Sequence, residues 1–513
     1  MKNFTFVVTV CFALGALWIA LICGNPFASA AQRPATQPTV PDAVHTEVHY
    51  QLQVLDAKHF GPTMAGGLAT SVSAPVSFTD AQIMSRSGAL ADGASVLVIR
   101  WATVAVAGAT ESIPAAAPYP VTFTIADGNY PVAEIGSLSA AMPTLPAPLG
   151  GAAGSKASVT IPAGSPDVVF YCPPDQYKFP ATAASDTAVP LQNAKITLTV
   201  SGGGGTLATG NLDVVRPQII LVHGFLSSPA TWSGLSAALL AEGLPAGQAV
   251  EANYSAENDS GYAGNCNVVP DEIAATVFGD EFPNNPKTAQ IAATRLDVVG
   301  HSMGGVLAAW YAAGLANTNL NRGDGFPAGS GTNEPFQRAL NFGVGDIRRF
   351  ISVGSPFQGS PVASYIVQNF SYNQIKFLVP LTGTQDDAAF WDLSTISSAT
   401  NDIDSATASV NWLPIAGIAG NGGGGLGAPW AAVENAFNIV GLGPGVTSAN
   451  SDLIVLQTSA EDGAAAGLNA DVVQNVVHTA ETTDATVYSD IESALDLGAK
   501  LGGSKLFNKK FTP

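Results

Sequence analysis

The stretch RLDVVGHSMGGVLAAWYAAGL, residues 295–315, decides the fold of the second half of the chain. Its first five residues form a mostly apolar run of the kind found in strands that are buried on both faces. From Gly304 onward, small and apolar residues favour a helix. Between the two, residues 300–304 fit the pattern G-x-S-x-G, whose small residues permit a tight turn that exposes Ser302 as a candidate nucleophile. The ordinary alternative is that Ser302 is the N-cap of the helix.

A similar alternation extends on both sides of this stretch. Continuous apolar runs predict buried strands, and helix-compatible segments such as residues 232–243 lie between most of them. Strands that alternate with helices indicate a parallel sheet flanked by helices, so we expect an α/β domain over residues 216–513. The predicted strands are residues 218–222, 249–254, 295–300, 348–354 and 412–418.

Residues 31–215 follow a different pattern. Short runs rich in β-branched and aromatic residues are separated by clusters of Gly, Pro, Asp and Ala, without a long helical period. SGGGG, residues 201–205, is expected at a hairpin tip. We therefore predict a β-rich N-terminal domain, an antiparallel β-sandwich, with its boundary near residue 215. The strand-like runs are residues 44–55, 95–106, 119–128, 167–172 and 195–200.

The N-terminus is typical of a targeting segment. Lys2 precedes an uncharged apolar run, Phe4–Cys23, and Ala28–Ala30 offers a small-x-small cleavage site. We predict a signal peptide over residues 1–30 that is cleaved near Ala30, so that the mature protein is secreted or periplasmic. Because the run is about as long as a membrane span, roughly 20 residues, a retained N-terminal membrane anchor is the alternative.

Two cysteines, Cys172 and Cys266, remain after removal of this segment. An exported protein meets an oxidising environment, in which these two have one possible pairing. The sequence is compatible with a disulfide between them and equally with two separate buried thiols.

Charge and composition limit the partners. The chain carries 39 Asp and Glu against 20 Lys and Arg, a net charge of −19, and such a surface repels the phosphates of nucleic acids. Hydrophobic residues make up 47% and charged residues only 12%, which fits a protein that meets apolar molecules. The sequence leaves the oligomeric state open.

A serine nucleophile needs a general base, and the positions of the histidines restrict the choice. Of the six histidines only His478 follows Ser302, and hydrolases with this serine turn have the chain order Ser, acid, His. The acid is therefore sought between these two residues. Asp452 is the best candidate, because it follows a late predicted strand and a long loop. The other carboxylates considered are Asp402, Asp404 and Asp471.

Backbone N–H groups near the nucleophile must stabilise an oxyanion. One is expected from Met303, directly after the nucleophile, and the other from residues 223–226, the loop after the first α/β strand. Gly224 permits a tight turn that can expose the N–H of Phe225, which we favour over the N–H of Leu226. Two further histidines are interpreted as structural, His223 and His301.

Four segments carry a family resemblance: HGFLSSPATW at 223–232, LDVVGHSMGG at 296–305, ISVGSPFQGS at 351–360 and SDLIV at 451–455. In this order they resemble α/β-hydrolase lipases, especially the branch of bacterial-type lipases and GPI-inositol deacylases. The resemblance covers roughly residues 216–480 and implies an α/β-hydrolase fold. A long glycine-rich insert before the acid is a departure from the family pattern. The resemblance implies Ser302, Asp452 and His478 as the catalytic triad, and Phe225 and Met303 as the oxyanion hole.

Residues 361–409 are where such folds often carry a cap or lid. The segment 366–381 contains bulky apolar side chains, and a lid with an apolar surface would suit water-insoluble esters. An ordinary core helix is the alternative.

Together these observations predict an exported serine hydrolase that cleaves carboxylic esters, lipid esters foremost, through an acyl-enzyme. The expected partners are a lipid or other apolar ester and, transiently, a lipid interface. No cofactor or metal is expected: His45 and His49 have a spacing used for metals on helices, but their surroundings are strand-like. The alternatives are a transacylase or amidase with the same triad, and a non-catalytic binding or adhesion protein on a hydrolase scaffold.

Overall fold

The fold is described from a computed structural model. All described residues lie in one compact unit, His49–Pro513. They are residues 49–57, 62–65, 68–72, 86–104, 117–127, 130, 132–141, 156–165, 168–175, 194–241, 244, 247–278, 291–312, 345–371, 388–397, 409–419, 450–460, 471–495 and 507–510.

Strands and helices alternate after residue 216, whereas strands dominate before it. The strands are β1 His49–Asp56, β2 Pro62–Ala65, β3 Leu68–Val72, β4 Gly88–Leu90, β5 Leu97–Val104, β6 Val121–Ala126, β7 Ser137–Ser139, β8 Ser158–Ile161, β9 Val168–Cys172, β10 Ala194–Gly202, β11 Gly205–Val215, β12 Ile219–Val222, β13 Ala249–Ala252, β14 Ile291–Ala292, β15 Leu296–His301, β16 Ile347–Val353, β17 Ser409–Ile418, β18 Asp471–Gln474 and β19 Phe507–Lys510. The helices are α1 Val132–Ile135, α2 Ser233–Ala241, α3 Gly261–Asn265, α4 Val268–Phe278, α5 Met303–Ala312, α6 Pro361–Asn369, α7 Ala388–Asp392, α8 Gln457–Ala460 and α9 Ala485–Ala494. Two short 3₁₀ turns are Pro229–Trp232 and His478–Thr483.

The second half of the chain is built on a mostly parallel sheet with the strand order β13-β12-β15-β16-β17-β18. Successive strands in this order pair in parallel, and β19 adds an antiparallel partner to β17. Strands β12, β15 and β16 are buried along their whole length, which explains the continuous apolar run of β12, while β15 and β16 also carry charged side chains such as Asp297 and Arg348. The prediction of an α/β architecture with a mostly parallel sheet is confirmed.

Side chains of this sheet alternate between two cores. Ile220 and Val222 of β12 join the core that includes α4 and α5. Ile219 and Leu221 of the same strand join the opposite core, which includes α2 and α9. Helices therefore cover both faces of the sheet, as a fully buried parallel sheet requires.

The strand register brings the functional loops to one edge. Val222 of β12 lies opposite Gly300 of β15, and Gly300 lies opposite Ser352 of β16. The segments that follow these three strands consequently leave the sheet at the same end. The carboxyl edge of a parallel sheet is the usual place for a site in such folds.

Two further sheets enclose a separate core, whose residues come from 49–215 and, in addition, Ala292 of β14. Their strand orders are β1-β5-β9-β7 and β14-β4-β11-β10-β6-β8. In the larger sheet β4 pairs in parallel with β11 and with β14, and β14 comes from beyond the predicted boundary near 215. The antiparallel β-sandwich and its boundary stay predictions, from which the larger sheet departs in these two pairings.

The hairpin tip predicted at residues 201–205 joins β10 to β11. Gly203 and Gly204 connect the strands with φ of +57° and +92°. Two positive φ values in a two-residue loop match the twist of antiparallel strands and favour glycine at both positions.

Buried polar groups join the first half of the chain to the parallel sheet. The Asp92 carboxylate accepts the N–H groups of Thr294 and Arg295 at 3.2 and 3.0 Å. The Arg348 guanidinium forms an ion pair with Asp297 and donates to the carbonyl of Asp175 at 2.7 Å. Thr294 and Arg295 lie just before β15, and Arg348 lies at the start of β16. Both strands lead to the candidate site.

Several predicted features are described in part or lie outside the described residues. The lid region is represented by α6, α7 and residues 393–397, while residues 372–387 and 398–408 lie outside, so the lid stays a prediction. The predicted signal peptide and His45 also lie outside. Cys172 and Cys266 are two separate thiols, each partly buried. Among the helices of the described ranges, none has the length and apolarity needed to cross a membrane.

Candidate active site

Ser302 occupies the turn between β15 and α5 with a strained backbone. Its φ is +54°, a left-handed conformation that side chains other than glycine rarely adopt. The turn is held because the N–H of Ser302 donates to the carbonyl of Val353 at 2.9 Å and its own carbonyl accepts the N–H of Gly305 at 3.1 Å. The geometry matches a strand–turn–helix junction that presents a serine hydroxyl.

The glycines around Ser302 are required by close packing. A Cβ on Gly300 would lie 2.5 Å from the Cα of Gly305. A Cβ on Gly304 would lie 2.4 Å from the carbonyl oxygen of His223. Strand, helix and the neighbouring loop therefore approach each other through backbone alone at this turn.

Asp452 and His478, 26 residues apart, meet at the same edge of the sheet. The Asp452 Oδ2 lies 2.7 Å from His478 Nδ1, and both residues are buried. The other carboxylate oxygen accepts the N–H groups of Ile454 and Val455 at 2.8 and 2.7 Å, so SDLIV is a bend around the carboxylate. The backbone N–H of His478 also donates to the backbone carbonyl of Asp452 at 3.0 Å.

The other candidate acids stand elsewhere. Asp471 is the first residue of β18, paired with Ile415 of β17. Asp402 and Asp404 lie outside the described residues. Among the described carboxylates, two contact the His478 ring. One is Asp452, and the other was not among the acids considered from the sequence.

That additional residue is Glu481, which is fully buried beside two histidines. Its Oε2 lies 3.3 Å from His478 Nδ1 and 3.3 Å from His301 Nε2, and its Oε1 accepts the Gly417 N–H at 3.0 Å. A Cβ on Gly354, where φ is +55°, would lie 2.0 Å from the Glu481 carboxylate, so glycine makes room for it. The spacing of three residues after His478 was the available sequence signal.

His301 connects the serine turn to His478. The His301 Nε2 lies 3.1 Å from the carbonyl oxygen of His478, and the two rings are 4.7 Å apart. Trp232 packs edge-on against His301 with ring centroids at 6.3 Å. His301 precedes Ser302 directly, so these contacts place the nucleophile candidate and the His478 segment side by side.

The charges around His478 stabilise its protonated form. Burial lowers the pKa of His478, but the carboxylates of Asp452 and Glu481 outweigh this effect and raise that pKa to about 10. Burial acts to raise the pKa of Glu481, yet its contacts with His301 and His478 lower it to about 2. Burial raises the pKa of Asp452, with the charge of His478 opposing. An imidazolium formed at His478 is therefore well accommodated.

Three of these residues could in principle hold a metal. His301, His478 and Glu481 present ligand atoms within 4.8 Å of one another. These are the atoms engaged in the contacts just described, and His478 Nδ1 is also bonded to Asp452. The buried charge network therefore accounts for their proximity.

The loop 223–226 lies directly on the serine turn. A Cβ on Gly224 would lie 2.8 Å from the Ser302 Cβ. Below the loop, the His223 ring stacks on Tyr254 with centroids 4.1 Å apart, and burial lowers the pKa of His223. The N–H of Leu226 is engaged by Asn258 at 2.6 Å, which favours Phe225 as the donor to a reacting group.

Met303, the other proposed donor, is the buried first residue of α5. Its N–H belongs to the first turn of the helix, where N–H groups have no partner within the helix. The helix N-terminus adds positive potential at this position. The structure thus places both proposed oxyanion donors beside Ser302, and their roles stay predictions.

One side of the loop 223–226 is apolar. The Phe225 ring packs edge-on against Phe390 of α7, with centroids 4.8 Å apart. Val367 of α6 completes the buried part of this cluster, which we call the apolar wall: Phe225, Ile366, Val367, Phe370 and Phe390. Next to it Leu226 and Trp391 are 51% and 46% exposed, so apolar surface continues to solvent.

Comparison with known proteins gives a family match for part of the chain. Residues 218–379 match a family described as "Putative serine esterase (DUF676)", which confirms the resemblance to serine esterases predicted from the sequence. Comparison with curated proteins gives no match. Among solved structures, similar chains include the mature lipase BlEst2 of Bacillus licheniformis, 16% identical over 54% of this chain and 91% of that one, with a TM-score of 0.33. EstA of Clostridium botulinum is 14% identical over 56% and 87% of the two chains, with a TM-score of 0.33.

Proposed function

We propose that this protein is an exported serine hydrolase that cleaves carboxylic esters, lipid esters foremost, through a triad of Ser302, His478 and Asp452. The observation that carries the proposal is the strained serine at φ +54°, whose neighbour His301 contacts a buried histidine with Nδ1 2.7 Å from a buried aspartate. The match of residues 218–379 to a serine esterase family supports the same reaction class. No cofactor takes part in the proposed reaction.

In the first half-reaction, the Ser302 hydroxyl attacks the ester carbonyl carbon and His478 Nε2 accepts its proton. Asp452 fixes the tautomer, because it accepts the Nδ1–H and leaves Nε2 free to act as the base. The N–H groups of Phe225 and Met303 donate to the oxyanion of the tetrahedral intermediate. Collapse of that intermediate expels the alcohol, which takes the proton from His478.

In the second half-reaction, water replaces the alcohol. His478 removes a proton from the water as it attacks the acyl-enzyme, and the oxyanion again lies at the same two N–H groups. The carboxylic acid leaves as Ser302 regains its proton from His478. The carboxylates of Asp452 and Glu481 beside His478 support this role, since the imidazolium is the species that must be stabilised in both steps.

The apolar wall supports an ester with a hydrocarbon acyl group. Phe225 and Phe390 stand beside the proposed oxyanion position and offer no charge to a substrate. The exposed Leu226 and Trp391 continue this surface outward, as an enzyme that meets a lipid interface would require. The proposed substrate class is therefore a lipid or another apolar ester.

The decisive experiment is Ser302→Ala. We expect loss of p-nitrophenyl ester hydrolysis and of covalent labelling by a fluorophosphonate, with a fall in kcat of about 10⁴-fold or more. Ser233→Ala is the matched control, since it makes the same chemical change at an exposed position of α2. Ester hydrolysis that survives in Ser302→Ala at wild-type rates rejects the proposal.

The same reagents separate the alternatives. A transacylase or amidase would be labelled, but it would transfer the acyl group to an added alcohol or cleave the corresponding amide faster than the ester. A binding or adhesion protein would remain unlabelled. Product analysis with a competing alcohol and an amide substrate thus decides among the three functions.

Export is a separate proposal that rests on the N-terminal sequence. Cleavage near Ala30 would give a mature protein that begins at residue 31 and is found outside the cytoplasm. N-terminal sequencing of the mature protein tests this. A protein that keeps residues 1–30 and sediments with membranes would instead identify the segment as an anchor.

A further inference from the structure

One buried side chain holds the loop that carries the proposed donor Phe225. Asn258 is 3% exposed and lies between β13 and α3. Its Oδ1 accepts the N–H of Leu226 at 2.6 Å, and its Nδ2 donates to the carbonyl of Gly224 at 3.0 Å. A single side-chain amide therefore binds both neighbours of Phe225.

The bond to Gly224 controls the direction of the Phe225 N–H. The carbonyl of Gly224 and the N–H of Phe225 belong to one peptide unit, and in a trans peptide they point in opposite directions. Asn258 attracts the carbonyl, and so turns the N–H away from Asn258. Since a Cβ on Gly224 would lie 2.8 Å from the Ser302 Cβ, this peptide stands directly against the nucleophile.

The His223 ring supports the same orientation of the Gly224–Phe225 peptide. The His223 Nδ1 lies 2.9 Å from the Gly224 carbonyl oxygen, so that this oxygen has two neighbours able to donate. Leu226 on the other side has φ of +52°, a conformation that costs free energy for leucine and needs an external bond to persist. If the peptide turned over, its carbonyl oxygen would face the reacting group and repel an oxyanion.

We propose that Asn258 is a positioning residue of the oxyanion hole, which keeps the Gly224–Phe225 peptide turned so that the Phe225 N–H faces the ester oxygen. The proposal rests on the proposed function, because it presupposes attack by Ser302. It adds a residue that no local sequence pattern marks, 34 positions from the carbonyl that it binds.

Asn258→Asp tests the proposal with little change in shape. One carboxylate oxygen can still accept the Leu226 N–H, but the other faces the Gly224 carbonyl without a proton to donate. We expect kcat for a p-nitrophenyl ester to fall by about 10²- to 10³-fold, the loss typical of a missing oxyanion donor, with KM changed by less than about threefold. Phosphonylation of Ser302 by the fluorophosphonate should slow in parallel.

The pH dependence of this variant gives a signature that a purely structural role would not produce. When the introduced carboxyl group is protonated it can donate to the Gly224 carbonyl again. The ratio of variant to wild-type kcat should therefore rise as the pH falls. The other ionisable groups around the loop are present in both proteins: His223, Tyr254, Glu257, Asp259 and His301.

Asn265→Asp is the matched control. Asn265 is also buried, and its Nδ2 donates to the carbonyl of Gly261 at 2.8 Å within α3. Its kcat should stay within about threefold of the wild type. An equal fall in both variants, or a loss confined to KM, overturns the proposal.

Two further outcomes are distinguishable. If Ser302→Ala is active, the proposed function fails and this inference falls with it; if Ser302→Ala is inactive but Asn258→Asp keeps the wild-type kcat, only the role of Asn258 is rejected. Should Asn258→Asp not fold, Asn258→Ala removes both bonds without adding a charge and should show the same loss of kcat. If neither variant folds, Asn258 serves stability, and the positioning role is rejected.

Discussion

At the scale of single residues, the sequence predicts constraints set by neighbouring residues better than constraints set by residues far along the chain. The strained turn at Ser302 was predictable, because the glycines that permit it lie within three positions of it. Asp452 was found through chain order and His478 because no other histidine follows the serine. Glu481 offered only its spacing of three residues after His478 as a signal, and Asn258 binds residues 32 and 34 positions away, for which neither periodicity nor a motif gives a signal.

Glu481→Gln should shift the pH profile of the enzyme. The ionisable groups that face His478 are Asp452, Glu481 and His301, and the two carboxylates raise its pKa to about 10. Removal of one negative charge lowers the pKa of His478, so the neutral base persists to lower pH. We expect the acid limb of kcat/KM to move down by about one pH unit, while the buried amide keeps the Gly417 bond.

The control for this prediction is Glu492→Gln, which removes the same charge from a half-buried position of α9. Its profile should coincide with that of the wild type. If the acid limb of Glu481→Gln stays in place or moves to higher pH, Glu481 does not act on His478 as its contacts indicate.

At the scale of elements, apolar runs predicted the fully buried strands and missed strands as short as β14. Strands β12, β15 and β16 are buried on both faces, which favours apolar residues, and the charged side chains Asp297 and Arg348 within them form an ion pair with each other. Strand β14 has two residues and pairs with β4, far along the chain, and such a length carries no periodicity. The apolar run in SDLIV forms a bend, because its backbone N–H groups bind the Asp452 carboxylate.

Phe390→Ala should change the acyl preference. Phe390 of α7 packs on Phe225 in the apolar wall, so its truncation removes surface from one side of the proposed acyl position. We expect kcat/KM for a long-chain p-nitrophenyl ester to fall about 10-fold more than kcat/KM for the acetate. Leu240→Ala, an apolar truncation at an exposed position of α2, should leave the ratio unchanged. Equal losses for both esters would place Phe390 outside the acyl site.

At the scale of the whole molecule, contacts from the β-rich half of the chain stabilise the parallel sheet. Asp92 binds the backbone just before β15, and Arg348 at the start of β16 donates to the carbonyl of Asp175. Both strands end at the site, β15 at the serine turn and β16 at Val353, whose carbonyl holds the Ser302 N–H. The β-rich half is therefore part of the framework that positions Ser302, although composition alone suggested an independent domain.

Arg348→Ala measures the strength of this junction. The guanidinium is 2% exposed, and its removal leaves the buried Asp297 carboxylate without its cation. Loss of one partner from a buried pair costs about 3–5 kcal/mol, so the unfolding free energy in urea should fall by that amount. Lys156→Ala, at an exposed position, should change it by less than about 0.5 kcal/mol. Because the cost comes from a stranded charge, Arg348→Met combined with Asp297→Leu should recover most of the stability; a double variant as unstable as Arg348→Ala would show instead that the bond to Asp175 across the junction carries the stabilisation.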